Sequence, residues 1–192
     1  MELDADAVVP LSVGACRSIV RRGDGAYLHG GASVDTVAVF GRITALAGVA
    51  RERVGPIAND HGAALLRWHL AASCPCCDAE ARDPAALDAI AAAADGNGYL
   101  DVVVRRYVVD DGGGGAARLE HACAYCAAGG GAPPSAAFLV GCRVAASCAP
   151  RSRAFPAAAD GPPALAVRSL RVEHDTAGVA AYRWLLAGGT PA

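Results

Sequence analysis

The hydrophobic positions along the chain alternate in the manner of strands. In residues 34–46, Val37, Val39 and Ile43 recur at even spacing among β-branched Thr residues, the pattern of a half-buried strand. Gly41 inside this run predicts a bulge or sharp bend of the kind a small closed sheet needs. A turn is expected around Gly48, before Arg51-Glu52-Arg53-Val54. Asn59-Asp60-His61-Gly62 reads as a tight turn, because Asn, Asp and Gly satisfy turn geometry locally. Residues 63–70, which include Trp68, follow as a third strand. Strand patterns resume at 137–144 and again at 164–172. Asp175 and Thr176 then offer an N-cap for a helix over 177–187, closed by Gly188-Gly189. Its apolar residues Val179, Tyr182, Leu185 and Leu186 share one face.

The middle of the chain breaks this rhythm. Residues 71–137 hold Cys74-Pro75-Cys76-Cys77, an Ala-rich helix candidate after Asp83-Pro84, and a strand-like run at 101–109. The glycine run 112–115 and the Gly/Pro stretch 129–134 have the composition of linkers. Three strands, an interruption, two strands and a helix predict a mainly β protein. The best match is a five-stranded OB-fold barrel with a large insertion between strands 3 and 4 and a C-terminal α-helix. The corresponding layout is an N-terminal extension (1–26), an OB-fold domain (27–176) interrupted at 71–137, and a C-terminal helix and tail (177–192).

Composition narrows the options. All 17 basic residues are Arg, against 19 acids, for a net charge of −2, which excludes a uniformly basic protein. The balance is uneven: residues 71–137 carry four Arg and nine acids, residues 138–192 six Arg and three acids. Any nucleic-acid contact must therefore be local and is expected toward the C-terminal third. Ala fills 46 positions, so the 41 Leu, Ile, Val and Phe residues supply only a modest core. The acidic start, Met1-Glu2-Leu3-Asp4, does not read as a secretory signal. The uncharged stretch 122–142 is interrupted by Gly and Pro and does not read as a membrane helix. A reducing compartment is the expectation for the eight cysteines.

OB-folds hold single strands by a basic groove that tracks phosphates and by aromatic faces on which bases stack. Arg143, Arg151, Arg153, Arg168 and Arg171 lie on the last two predicted strands and the loop between them, where Asp160 is the one acid within 138–172. Phe155 sits among them as a stacking candidate; the competing reading is a solvated loop with Phe155 tucked into the core. Arg42 and Arg67 would extend the groove, and Trp68 fits the core better than a stacking platform. Cys74-Pro-Cys76-Cys77 and His121-Ala-Cys123-Ala-Tyr-Cys126 bracket the insertion. The second has the two-residue spacing that structural zinc favours, and the first is read as lacking it. Unligated thiols in a compositionally biased insertion are the competing reading, so no cofactor is assigned. No P-loop or dinucleotide fingerprint is present, and the Cys and His residues show no nucleophile signature, which predicts a non-enzyme. A zinc-dependent deaminase or hydrolase would need a metal-activated water and a nearby acid.

One resemblance sharpens this reading. Residues 27–44, with an aromatic-Leu pair, a small polar turn and Val37-Ala-Val39-Phe-Gly41-Arg-Ile43, resemble the first strand of the Stn-type subunit of the CST telomere-capping complex. The turn at Asn59-Asp60-His61-Gly62 before Trp68 is similar to that family's acidic turn and Trp-ended third strand. Residues 167–175, followed by a helix containing Trp184, resemble its last strand and C-terminal helix. The match covers about half the chain. The resemblance implies a nuclear, telomeric subunit that binds single-stranded G-rich DNA, protects chromosome ends and aids lagging-strand fill-in. Its implied partners are a small OB-fold Ten-type subunit, the large CST subunit and DNA polymerase alpha–primase. Val179, Tyr182, Trp184 and Leu186 would meet the Ten-type partner. A middle subunit of a replication protein A-like complex and an OB adaptor that binds only proteins are the alternatives.

Overall fold

The computed structural model describes residues 8–54, 74–77, 90, 92, 98–128, 135–150 and 164–173. One 19-residue strand, β5 (Thr36–Val54), organises them. Val37, Val39, Gly41 and Ile43 are buried, whereas Arg42 and Thr44 are exposed, which realises the predicted alternation. The strand is long enough to serve two neighbours. Over residues 37–42 it pairs antiparallel with β8 (Arg143–Pro150), and over 42–54 with β6 (Leu100–Asp110). β6 pairs with β7 (Ala116–Cys123), β7 lies parallel to β9 (Ala164–Val172), and β9 returns antiparallel to β8. The ladder β5-β6-β7-β9-β8 thus closes on β5, with OB-fold connectivity. β1 (Val8–Pro10) adds in parallel to the start of β5. A small sheet of β2 (Val20–Arg21), β3 (Tyr27–His29) and β4 (Ala32–Ser33) stands apart. Its β3–β4 hairpin turns on Gly30 and Gly31, whose φ of 58° and 85° match the two positive values that a two-residue hairpin loop demands.

The interior of the ring is one apolar cluster that includes Val37, Val39, Ile43, Tyr107, Leu119, Val144, Leu165 and Leu170. Leu139, in a short 3-10 turn (Ala137–Leu139), enters it from the β7–β8 connection. Burial holds the Tyr107 phenol above its ordinary pKa.

The mainly β, OB-type architecture is as expected, but the chain is laid out differently along it. The segment expected as an insertion between strands 3 and 4 contains β6 and β7, the second and third strands of the ring. β6 reads as a continuous apolar run because it is buried on both faces. Val103, Tyr107 and Val109 pack on one side, and Leu100, Val102 and Val104 pack with Val54, Ile90 and Ala122 on the other. The glycine run 112–115 is a tight β6–β7 connection in which Gly112 and Gly114 take φ of 81° and 82°. The long connection therefore lies between the first and second ring strands, at residues 55–99. No turn forms at Gly48; β5 runs through it and absorbs extra residues as register shifts after Ile43 and Leu46. The expected extension is partly built into the fold, since Leu11, Val13 and Cys16 are buried in the main core. The run expected to be a strand from 137 begins as the 3-10 turn, with β8 starting only at Arg143. The predicted strand at 63–70 and the C-terminal helix lie outside the described residues.

Candidate functional site

Ring closure brings several of the predicted arginines onto one outer surface. Arg42 on β5 stands directly across from Arg143 on β8, and across from Asp110 on β6. Arg171 on β9 opposes Ala145, two residues along β8 from Arg143. Arg168 is the extra residue at the β8–β9 register shift, where Ser147 faces Ser169 and Cys148 faces Val167. All four arginines are exposed, and among the described residues none of them is in an ion pair. Like charges placed directly opposite across a ladder oppose folding. The Arg42–Arg143 pair concentrates positive charge there, offset in part by Asp110 across from Arg42. The two arginines line an open cleft of about 320 Å³ with Phe40, Gly41, Thr44, Asp110, Asp111 and Gly112. One wall is cationic and suits a phosphate; the other offers carboxylates that accept from base amino groups.

This cleft is at the end of β8 and β9 away from residues 151–163, the connection on which the sequence placed the groove. Arg151, Arg153 and Phe155 fall on that connection, outside the described residues, as do Arg67, Trp68, Val179, Tyr182, Trp184 and Leu186. The outer face of the second and third strands is the usual OB platform for nucleic acid. Here it carries Arg106 in ion pairs with Glu52 and Glu120, with Arg118 also on β7. Tyr107, the aromatic residue of β6, is fully buried and unavailable for stacking. A second basic group was missed because a turn was expected at Gly48, ahead of Arg51 and Arg53, and because Tyr99 fell in the segment read as an insertion. At the β5–β6 end, Arg51 and Arg53 lie beside Asp101, and Tyr99 is 49 % exposed next to them. Basic residues with an exposed aromatic ring are the elements of a single-strand contact. The signal in sequence was Tyr99 immediately ahead of the 100–110 strand pattern.

A third assembly joins the two cysteine clusters. Cys74 and Cys77 sit on one turn, closed by the Cys77 N–H donating to the Cys74 carbonyl at 3.4 Å. Cys123 ends β7, and Cys126 lies in the one-turn helix α1 (Tyr125–Ala128) that follows. The four sulfurs all lie within 4.8 Å of one another, with Cys74–Cys126 at 3.8 Å and Cys77–Cys123 at 3.6 Å. These are not disulfides, whose sulfurs are about 2.05 Å apart. Protons are unequally shared among the thiols. Hydrogen bonds, first from Cys123, hold Cys126 far down in the thiolate range, and Cys77 is drawn down to about 7 by its bond with Cys123. Their donors Cys74 and Cys123 are pushed up. The first cluster does have two-residue spacing, between Cys74 and Cys77; the intervening Cys76 hid it.

No family model matches the sequence, and no curated protein matches it. In fold, the chain is similar to a chain in the crystal structure of the S. pombe Stn1–Ten1 complex. The TM-score is 0.50 and the identity 10%, over 94% of this chain and 88% of that one. At that identity the likeness is one of fold, and it agrees with the OB-type strand order.

Proposed function

We propose that this chain is a Stn-type OB-fold subunit of a CST-like complex, a non-enzyme that binds telomeric single-stranded DNA in the nucleus beside a small Ten-type partner. The observation that carries the reading is a coincidence of place. Of the three stretches that resemble the Stn family, 27–44 and 167–175 supply the β3–β4 hairpin with the first half of β5, and most of the last ring strand β9, while the third, 59–68, lies outside the described residues. A fold likeness to a chain of a Stn1–Ten1 complex supports the same reading. Protection of chromosome ends, fill-in synthesis and the larger partners follow from the family resemblance.

The exposed arginines give the DNA-binding part its chemistry. Phosphate contacts provide sequence-independent affinity and a salt dependence of about 0.7 log units per phosphate neutralised on a single strand. Arg42→Ala/Arg143→Ala/Arg171→Ala removes three exposed charges without touching the core. The expected result is weaker binding to single-stranded oligonucleotides of any sequence, with the log–log salt slope flattened by about 2. Fluorescence anisotropy across a salt series, with the small OB partner present, reads both. Unchanged affinity and slope in a folded triple variant would overturn the DNA-binding assignment and favour the protein-only adaptor. Phe138, 60 % exposed, and Val140, 43 % exposed, are the apolar surface such an adaptor would use.

A further inference from the structure

The cysteine assembly has a geometry that thiols alone do not require. A tetrahedral ion with Zn–S bonds of about 2.3 Å sets its sulfurs about 3.8 Å apart, the edge of the tetrahedron. The separations of 3.8 Å and 3.6 Å already match that edge. A mutual span of 4.8 Å leaves room for one ion between the four sulfurs. Both ligand pairs come from tight local turns with two intervening residues, and Cys74, Cys123 and Cys126 are buried. We propose that Cys74, Cys77, Cys123 and Cys126 bind a single Zn²⁺ as a structural site that ties the β5–β6 connection to the end of β7.

Two further features support a resident ion. The local core is Cys74, Val103, Cys123, Cys126 and Ala127, with Cys76, Cys77 and the partly buried Tyr125 packed against it, a small apolar cluster to hold a turn about fifty residues away in sequence. Metal ligation supplies the missing cohesion, because a closed site of four cysteine thiolates contributes folding energy directly. Charge balance is also provided for. Four thiolates on Zn²⁺ carry a net charge of −2, and Arg105 is fully buried beside them. An arginine guanidinium is protonated in proteins, so Arg105 places a full positive charge next to the four sulfurs. Cys76, between two ligands, is left outside the four-sulfur set. No ligand position remains for water, so the ion is structural and activates nothing. In an OB-fold the connection it holds is one wall of the nucleic-acid groove, so the ion would fix that wall without touching a strand.

The test uses the full chain, purified under reducing conditions without chelator and analysed by elemental mass spectrometry. About one zinc per chain is expected, falling to under about a tenth of an equivalent in Cys123→Ser and Cys126→Ser. Cys76→Ser and Cys142→Ser should keep it. Those two variants guard against metal loss through general misfolding. In the wild-type chain, Co²⁺ exchanged for the native ion should give the strong visible ligand-field and near-ultraviolet thiolate charge-transfer bands of a tetrahedral four-sulfur site. Metal below a tenth of an equivalent in the wild type would overturn the proposal. So would stoichiometric iron in place of zinc, or loss of the ion from Cys76→Ser as complete as from Cys123→Ser.

Discussion

Gly41→Ala should strain the ring where β5 passes close to β6. Gly41 lies on the inward side of β5 between Val39 and Ile43, one residue before the strand exchanges β8 for β6 as its partner. Its φ is ordinary, so the requirement is space. A Cβ there would collide with Val109 Cγ1 and lie 2.8 Å from the Asp110 carbonyl oxygen and 3.2 Å from its carbon. The Val109 methyl can rotate. The Asp110 carbonyl cannot retreat without disturbing the pairing of Asp110 with both Arg42 and Ala116. Overpacking against a fixed backbone costs about 3 kcal/mol. In a chain of this length that lowers Tm by about 6–12 °C. Urea unfolding followed by circular dichroism measures it, with the double variant Gly41→Ala/Val109→Ala as a control. Trimming Val109 removes the side-chain clash but not the carbonyl contact, so the double variant should be less stable than Val109→Ala alone. It should nevertheless be about 1 kcal/mol more stable than the sum of the single effects. A Gly41→Ala protein within about 0.5 kcal/mol of wild type would refute the close-approach argument.

Other substitutions probe different links. Leu139→Ala removes a fully buried side chain that enters the ring from the β7–β8 connection, and should cost about 2–5 kcal/mol in denaturant titrations. At the surface, the hydrogen bond from Arg22 holds Asp24 down to about 2, so its carboxylate should remain charged until the pH falls near 2. The folded pKa is depressed, so any stabilisation is present above the unfolded value of about 3.9 and fades as pH falls toward 2. NMR titration of Arg22→Ala should move the midpoint up toward that unfolded value, stopping short because the Ala26 N–H still donates to Asp24 at 3.1 Å. A midpoint unmoved by Arg22→Ala would assign the depression to the backbone alone.

The division between local and tertiary information runs through particular residues. Hydrophobic patterning marked the first half of β5 and the extent of β9, because a strand packed on the core writes its burial into the sequence, whereas the strand expected over 137–144 shares only Arg143 and Val144 with β8. Gly30-Gly31 carry the β3–β4 turn for a local reason too, since few other residues tolerate two positive φ values in succession. The exposed arginines 42, 143, 168 and 171 were also legible as basic positions on predicted strands, whereas the buried Arg105 on β6 was not. Nor was the centre of the sheet. β6 is buried on both faces and loses its alternation, and the glycines after it resemble a linker until β7 is seen folded back against it. That Gly41 is needed for space appears only once Val109 and Asp110 lie across it. The same holds for the chemistry. Spacing sets apart two cysteine clusters among the eight, but not which of their members meet in space. Convergence of Cys74 and Cys77 on Cys123 and Cys126 requires β7 to end where the connection after β5 passes. Likewise, Arg42 meets Arg143 only because β8 closes on β5, about a hundred residues away. Local pattern determines which side chains face in or out; which of them become neighbours depends on ring closure, a cooperative choice among non-local pairings that no single segment encodes.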